Sequence, residues 1–280
     1  AIFDSTNNKV VIAYQDYANN SYGTAIVGTV SGTSISFGTA VVFEGANTTY
    51  TTAVFDSTNN KIVIAYNDGG NSSYGTAIVG TVSGTSISFG TAVVFENAAS
   101  QYMSAVFDSN ANKVVIAYRD NGNSFYGTAI VGTVSGTSIS FGTAVVFNTA
   151  NAIELGTTFD STNNKIVIAY SDFGNSGNGT VITGTVSGTS ISFDSALVYE
   201  AAQVTYSSAI FDSNANKVAI AYQDVGNSSY GTSAVLTVGS TNVSNFLGIT
   251  DAAISSGASG SVTIKGGVAT NADISTPAVT

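Results

Sequence analysis

The tripeptide Phe-Asp-Ser recurs at Phe3, Phe55, Phe107, Phe159 and Phe211, each copy 52 residues after the last. Five copies stay in register with no residue inserted or deleted, so one short unit must solve the folding problem five times. The segment YGTAIVGTVSGTSISFGTAVVF is identical over 22 residues at Tyr22–Phe43, Tyr74–Phe95 and Tyr126–Phe147. Such identity means that the duplication is recent or actively maintained.

Each unit contains four β-rich runs. In the second copy they are Thr51–Phe55, Lys61–Tyr66, Thr76–Val82 and Ser86–Phe95. The breaks DSTNN, NDGGNSSYG and SGT are rich in the Asn, Asp, Gly and Ser that supply turn geometry. Along the second run, Ile62, Ile64 and Tyr66 point one way while Val63 and Ala65 point the other, so both faces are apolar. That pattern belongs to a strand sandwiched between neighbouring sheets. No stretch carries a 3.6-residue apolar period, so almost no helix is expected.

Four strands in a unit of about 50 residues predict an all-β fold, a five-bladed β-propeller of four-stranded antiparallel blades. A β-solenoid is the main rival, but its strand-bearing repeats are shorter, nearer about 20–30 residues, and need distinct caps. The blades fall at 1–52, 53–104, 105–156, 157–208 and 209–250, with a C-terminal extension or linker at 251–280. The fifth copy changes character after Thr232, yet Thr237, Val238, Thr241 and Ser244 keep the register and place a fourth strand at Thr241–Ile249. The tail holds one strand-like run, Ser261–Lys265.

Composition then removes whole chemistries. With Cys 0 and His 0 there is no disulfide framework, thiol nucleophile, conventional zinc site or serine–histidine triad. Seven basic residues against 17 acidic ones, a net charge of −10, argue against nucleic acid as a partner. Charged residues make up 9% and hydrophobic ones 44%, the balance of a folded chain. No apolar run reaches the roughly 18 residues of a membrane span, so a soluble protein without membrane insertion is expected. The sequence opens at Ala1 without an initiator Met or a basic leader, so any signal peptide is expected to be removed or to lie outside it.

Differences among the copies concentrate in two segments. One follows the second strand: QDYANNS, NDGGNSS, RDNGNSF, SDFGNSG, QDVGNSS. The other follows the fourth: EGANTTYTT, ENAASQYMS, NTANAIELG, EAAQVTYSS. In an up-and-down blade both emerge at the same end, and variable loops on a rigid scaffold are the usual carriers of binding. Tyr50, Tyr102 and Tyr206 enter blades two, three and five, and Tyr74, Tyr126 and Tyr230 precede the third strand of those blades; Tyr22 is their counterpart in the first. Blade four has Glu154 and Asn178 instead, so each pair is read as one local site, with a packing contact as the equal alternative. Tyrosine suits stacking on a sugar face. Arg119 joins this ligand-binding set.

The Asp of the AYxD motif recurs as Asp16, Asp68, Asp120, Asp172 and Asp224. Its first reading is a turn residue accepting backbone N–H bonds; a calcium ligand or a hydroxyl acceptor for glycan is the minor one. No other cofactor is expected. The Phe-Asp-Ser aspartates are read as turn residues. Lys9, Lys61, Lys113, Lys165 and Lys217 fall on the constant end, where they are expected only to solvate it.

Near-identical blades supply near-identical environments, whereas an acid and a base must be pushed apart in pKa, so no enzyme activity is expected. Several equivalent sites on one rigid face suit a multivalent binder of a repetitive polysaccharide. A structural spacer and a propeller glycosidase are the competing readings.

The unit FDSxxNKVVIAYxDxGNSxYGTAIVGTVSGTSISFGTAVVFE resembles the repeat of tail-fibre and other virion proteins of marine bacteriophages, where a segment similar to Asn245–Asn271 follows it. The resemblance implies an extracellular virion-surface appendage that meets a host surface polysaccharide and other virion or fibre subunits, with a homotrimer as the form such fibres tend to take. Related repeats in bacterial surface proteins keep a secreted lectin-like adhesin open. The resemblance carries over no catalytic residues.

Overall fold

A computed structural model describes residues 1–239 and the backbone of strand Val243–Asn245. The chain is all-β and antiparallel: five successive sheets, one per repeat, with helix confined among the described residues to single 3-10 turns at Tyr17–Asn19, Phe173–Asn175 and Val225–Asn227. No helix is long and apolar enough to cross a membrane among the described residues. Of the fourth strand expected at Thr241–Ile249, Val243–Asn245 pairs with Ala234–Leu236. The rest of that strand, the extension at 251–280 and the run Ser261–Lys265 lie outside the described residues.

The strands are joined in a way that differs from the sequence reading. What was read as a fourth strand, a variable loop and the first strand of the next blade is one 16-residue strand, seen at Val41–Asp56, Val93–Asp108, Val145–Asp160 and Leu197–Asp212. Its first half pairs with the third strand of one sheet, Val41 opposite Ala25 and Asn47 opposite Tyr22. Its second half pairs with the second strand of the next sheet, Thr48 opposite Asp68 and Asp56 opposite Lys61. The segment EGANTTYTT is therefore extended backbone. Polar, turn-forming residues hid this, because their ladder partners come from two different sheets.

The expected run Ser86–Phe95 is itself split, into Ser86–Phe89 and the long strand that begins at Val93. At the break, the Gly90 N–H donates to the Val79 carbonyl at 2.9 Å. A Cβ on Gly90 would stand 1.9 Å from the Thr137 carbonyl oxygen of the next sheet, and Gly38 and Gly142 meet Thr85 and Thr189 in the same way. Only glycine permits so close an approach between backbones.

Sheets stack face to face. Ile62, Ile64, Tyr66 and Ile78 of the second sheet pack on Val11, Ala25 and Val27 of the first, while Val63, Ala65 and Val79 pack on Val114, Ile116 and Tyr118 of the third. The same interface recurs between sheets three and four and between four and five. Each fully buried Ile contributes about 1.5–3 kcal/mol, so the repeated interface is the main stabilising element. The first strands of consecutive sheets run side by side: the Ala105 N–H donates to Thr52 Oγ1 at 3.3 Å, and the Ser104 and Thr157 hydroxyls lie 2.9 Å apart.

At the constant end, Asp56 Oδ1 accepts the N–H of Thr58 and Asn59, and Asn60 closes the turn in the left-handed region at φ 53°. Asp4, Asp108, Asp160 and Asp212 repeat the arrangement, as expected of turn residues. The lysines here do more than solvate: Lys9, Lys61 and Lys165 donate to Thr29, Thr81 and Thr185 across the sheet.

The first and last sheets each keep one uncovered face. Phe3, Val30 and Ile35 of sheet one are exposed, whereas their counterparts Phe55, Val82 and Ile87 are buried. On sheet five Ile210 and Ala221 are exposed, whereas Val54 and Ala65 are buried. The described faces do not close the stack into the expected disc.

Candidate functional site

The two variable segments do share one end of the stack, and they hydrogen-bond to one another. Thr48 N–H donates to the Ser21 carbonyl at 3.0 Å, Gly69 N–H to Asn47 at 2.8 Å, and Ser100 N–H to Ser73 at 3.3 Å. The loop after strand two is thereby held against the crossover strand that carries the other variable segment.

Within each crossover strand the register slips, between Thr49 and Thr52 in the first. The bulge forces a non-glycine residue into left-handed backbone: Tyr50 at φ 50°, Tyr102 at 50°, Glu154 at 56° and Tyr206 at 54°. For an L-residue this costs about 1–2 kcal/mol, strain of the kind found at functional sites. Because first strands lie side by side, these four positions line up across consecutive sheets. The Tyr50 and Tyr102 rings stand 5.2 Å apart between centroids, and Glu154 Oε2 accepts the Tyr206 N–H at 3.0 Å. Tyr50 is exposed and Tyr206 is 75% exposed.

Arg119 is inserted beside this row. Its guanidinium lies 5.0 Å from the Tyr102 ring centroid and 5.1 Å from that of Phe125, within cation–π range of both. It donates to Asn121 at 3.0 Å, to Asn151 at 3.4 Å and to Gln101. Burial, and next the neighbouring Tyr50, push the Tyr102 hydroxyl above its usual pKa, with Arg119 opposing. The rings of Tyr102 and Phe125, braced by a fixed cation, form a rigid polar–aromatic surface.

Tyr22, Tyr74 and Tyr126 are half-buried, opposite Asp16, Asp68 and Asp120, while Tyr230 is exposed. The ring contact made by Tyr50 is to Tyr102 of the next sheet. Pairing of Tyr50 with Tyr74 within one blade was inferred from their joint loss in unit four. The Tyr50–Tyr102 contact joins equivalent positions of adjacent sheets, because those first strands are neighbours.

The AYxD aspartates hold turns. Asp16, Asp68, Asp120, Asp172 and Asp224 accept N–H bonds from Ala18, Gly70, Gly122, Gly174 and Asn227 respectively. Among the described residues no group of three or more acidic side chains is placed to hold a metal ion.

A second constellation lies between the sheets. The buried Tyr66 hydroxyl donates to Glu44 of the preceding sheet at 3.2 Å, Tyr118 to Glu96 at 3.0 Å and Tyr222 to Glu200 at 3.1 Å. Burial, then the charges of Asp68 and Asp120, raise Glu44 and Glu96 above the ordinary carboxyl pKa, and the same burial pushes the tyrosines far up. Between sheets three and four Asn148 takes the glutamate's place and donates to Asp172 at 3.0 Å. The signal was present as the alternation Glu, Glu, Asn, Glu opening the second variable segment.

No family model matches this sequence, and no curated protein is detectably similar to it. Solved structures share its fold. A triple mutant of AofleA from Arthrobotrys oligospora matches with a TM-score of 0.57 at 9% identity, over 88% of this chain and 71% of that one. The leech intramolecular trans-sialidase, complexed with 2,7-anhydro-Neu5Ac, matches at 0.53 and 11% identity over 73% of this chain. This chain spans only a third of that enzyme, 33% of its length. An exo-β-1,3-galactanase from Phanerochaete chrysosporium, solved with β-1,3-galactotriose, matches at 0.50 and 10% identity over 86% of this chain and 67% of that one. Together with the stacked four-stranded units, these likenesses define a propeller-like class of fold.

Two of these structures are glycoside-processing enzymes, and that overturns the expectation that this chain is no enzyme. The expectation rested on near-identical blades, yet Glu44 and Glu96 are raised by burial and then by a neighbouring aspartate, and the equivalent place in the next unit is taken by Asn148. The likeness to bacteriophage virion proteins drawn from the sequence has no counterpart among these structures.

Proposed function

We propose that the chain recognises glycan through the end of the stack that bears the unit-specific segments. The observation that carries this reading is the row Tyr50, Tyr102, Glu154 and Tyr206, held in left-handed backbone across consecutive sheets, with Arg119 set between Tyr102 and Phe125. Aromatic rings held on strained backbone present two apolar faces inclined at 49° to one another, with hydroxyls at the rim, which complements the face and edge of a sugar ring. Repetition along the stack gives several weak sites that act together on a repetitive polysaccharide. Fold likeness to a trans-sialidase and a galactanase supports the carbohydrate class of ligand. In its finer form the units are successive propeller blades and the protein is an extracellular virion appendage that meets a host polysaccharide, a placement supported by the resemblance of its repeat.

Screening the protein on a glycan array, followed by titration calorimetry with the best oligosaccharide, tests the reading. Tyr102→Ala should weaken binding at least tenfold. Tyr102→Gly should weaken it equally while holding or raising the melting temperature, because glycine relieves the left-handed strain. Unchanged affinity in both variants would sink the assignment.

A second reading, glycoside hydrolysis, is favoured by the paired carboxyls Glu96 and Asp120. Glu96 accepts the buried Tyr118 hydroxyl at 3.0 Å and is raised by burial and then by Asp120, the direction a general acid for glycosidic bonds requires. Release of reducing sugar from oligosaccharides, abolished by Glu96→Gln, would establish it.

A further inference from the structure

We propose that the uncovered faces of sheets one and five are the two halves of one interface, and that they dock head to tail between two copies of this chain. On sheet one, Phe3, Val10, Ile12, Tyr14, Val30 and Ile35 occupy the positions that Phe55, Ile62, Ile64, Tyr66, Val82 and Ile87 fill on sheet two, where all six are buried against sheet one. Their own neighbour is missing, and Phe3 and Val30 are 52% and 55% exposed. The opposite end has the matching deficit. On sheet five Ile210, Ala219, Ala221 and Val235 stand where sheet two has Val54, Val63, Ala65 and Val79, and Ile210 is 67% exposed against 6% for Val54.

The occupant follows from continuity with the interfaces already formed. Four times along the chain, a face of the Ile–Ile–Tyr kind is covered by a face of the Val–Ala–Val kind. One face of each kind is left over, at opposite ends. Both stand open among the described residues, which do not cover one with the other, whereas a second copy offers each face its usual partner. The central strands of the two faces, Val10–Gln15 and Val218–Gln223, carry no charged side chain to oppose burial. Apolar patches of this continuity on a folded protein mark interaction surfaces. The contact is heterologous, so it generates a ring when the rotation closes and a filament when it does not.

Light scattering coupled to size exclusion, over a hundredfold range of protein concentration, tests the proposal. The 280-residue chain should rise with concentration above the 28.2 kDa of a single copy. Val30→Glu and Ile210→Glu should each abolish association while leaving the melting temperature of the dilute protein unchanged, since both side chains are already exposed in one chain. Mixing the two variants should restore a species of two chains and none larger, because each retains the face the other has lost. A wild-type mass that stays at one chain overturns the proposal. In that case a sharp loss of melting temperature in Ile210→Glu means that the two faces close within one molecule. Association that survives both substitutions also overturns it.

Discussion

Glu96 shows what one side chain in a repeated interface can do. It is half-buried, accepts the Tyr118 hydroxyl at 3.0 Å, and titrates above the ordinary carboxyl value because burial and then Asp120 disfavour its charge. A carboxyl raised in the folded state binds its proton more tightly there than in the unfolded chain. Its favourable contribution is complete below the unfolded value and is lost as pH rises through the folded one. Glu96→Gln should therefore match the wild type in thermal melts near pH 3.5 and exceed it at pH 7. The margin should be on the order of 0.5 kcal/mol, small because the group is only half-buried. Asn148, which fills the same place between sheets three and four, shows that a neutral amide fits. The Tyr–Glu contact escaped the sequence reading because the two residues are 22 positions apart and belong to different sheets.

The crossover strand is where element-level reasoning and structure part. Short apolar runs in Lys61–Tyr66 and Thr76–Val82, bounded by turn residues, made the two middle strands legible, since both kinds of signal are local. Val93–Asp108 was not legible as a single strand, because its middle, Glu96–Tyr102, has neither alternation nor β-branched residues. It is extended because the third strand of one sheet and the second strand of the next supply its hydrogen bonds in turn. The glycine that opens this element makes a sharp prediction. Gly90→Ala would place a methyl 1.9 Å from the Thr137 carbonyl oxygen. Backbone must shift to admit it, at a cost of about 1–3 kcal/mol, visible as a lower urea midpoint. The same substitution at Gly45, where a Cβ meets nothing within 4 Å, should leave the midpoint nearly unchanged.

At the scale of the molecule, stability is close to a sum of sheets and nearest-neighbour interfaces, as in other repeat architectures. Deleting residues 53–104 joins the first sheet to the third through an interface of the same composition. That shortened chain should keep the β-type circular dichroism of the parent and melt only modestly lower. Aggregation or a coil spectrum would show that the stack depends on a particular number of sheets.

The period of 52 residues, the four runs per unit and the two apolar faces of the middle strands were enough to establish stacked four-stranded antiparallel sheets, because alternation and turn chemistry act over a few residues. They were also enough to gather the unit-specific segments at one end. Which residues meet across sheets could not be read that way. The Tyr50–Tyr102 contact, the Glu–Tyr bonds, the close approach at Gly90 and the two faces left open all depend on how one sheet is rotated and seated on the next. That seating is set by packing between residues about 50 positions apart, to which local patterns in the chain are blind.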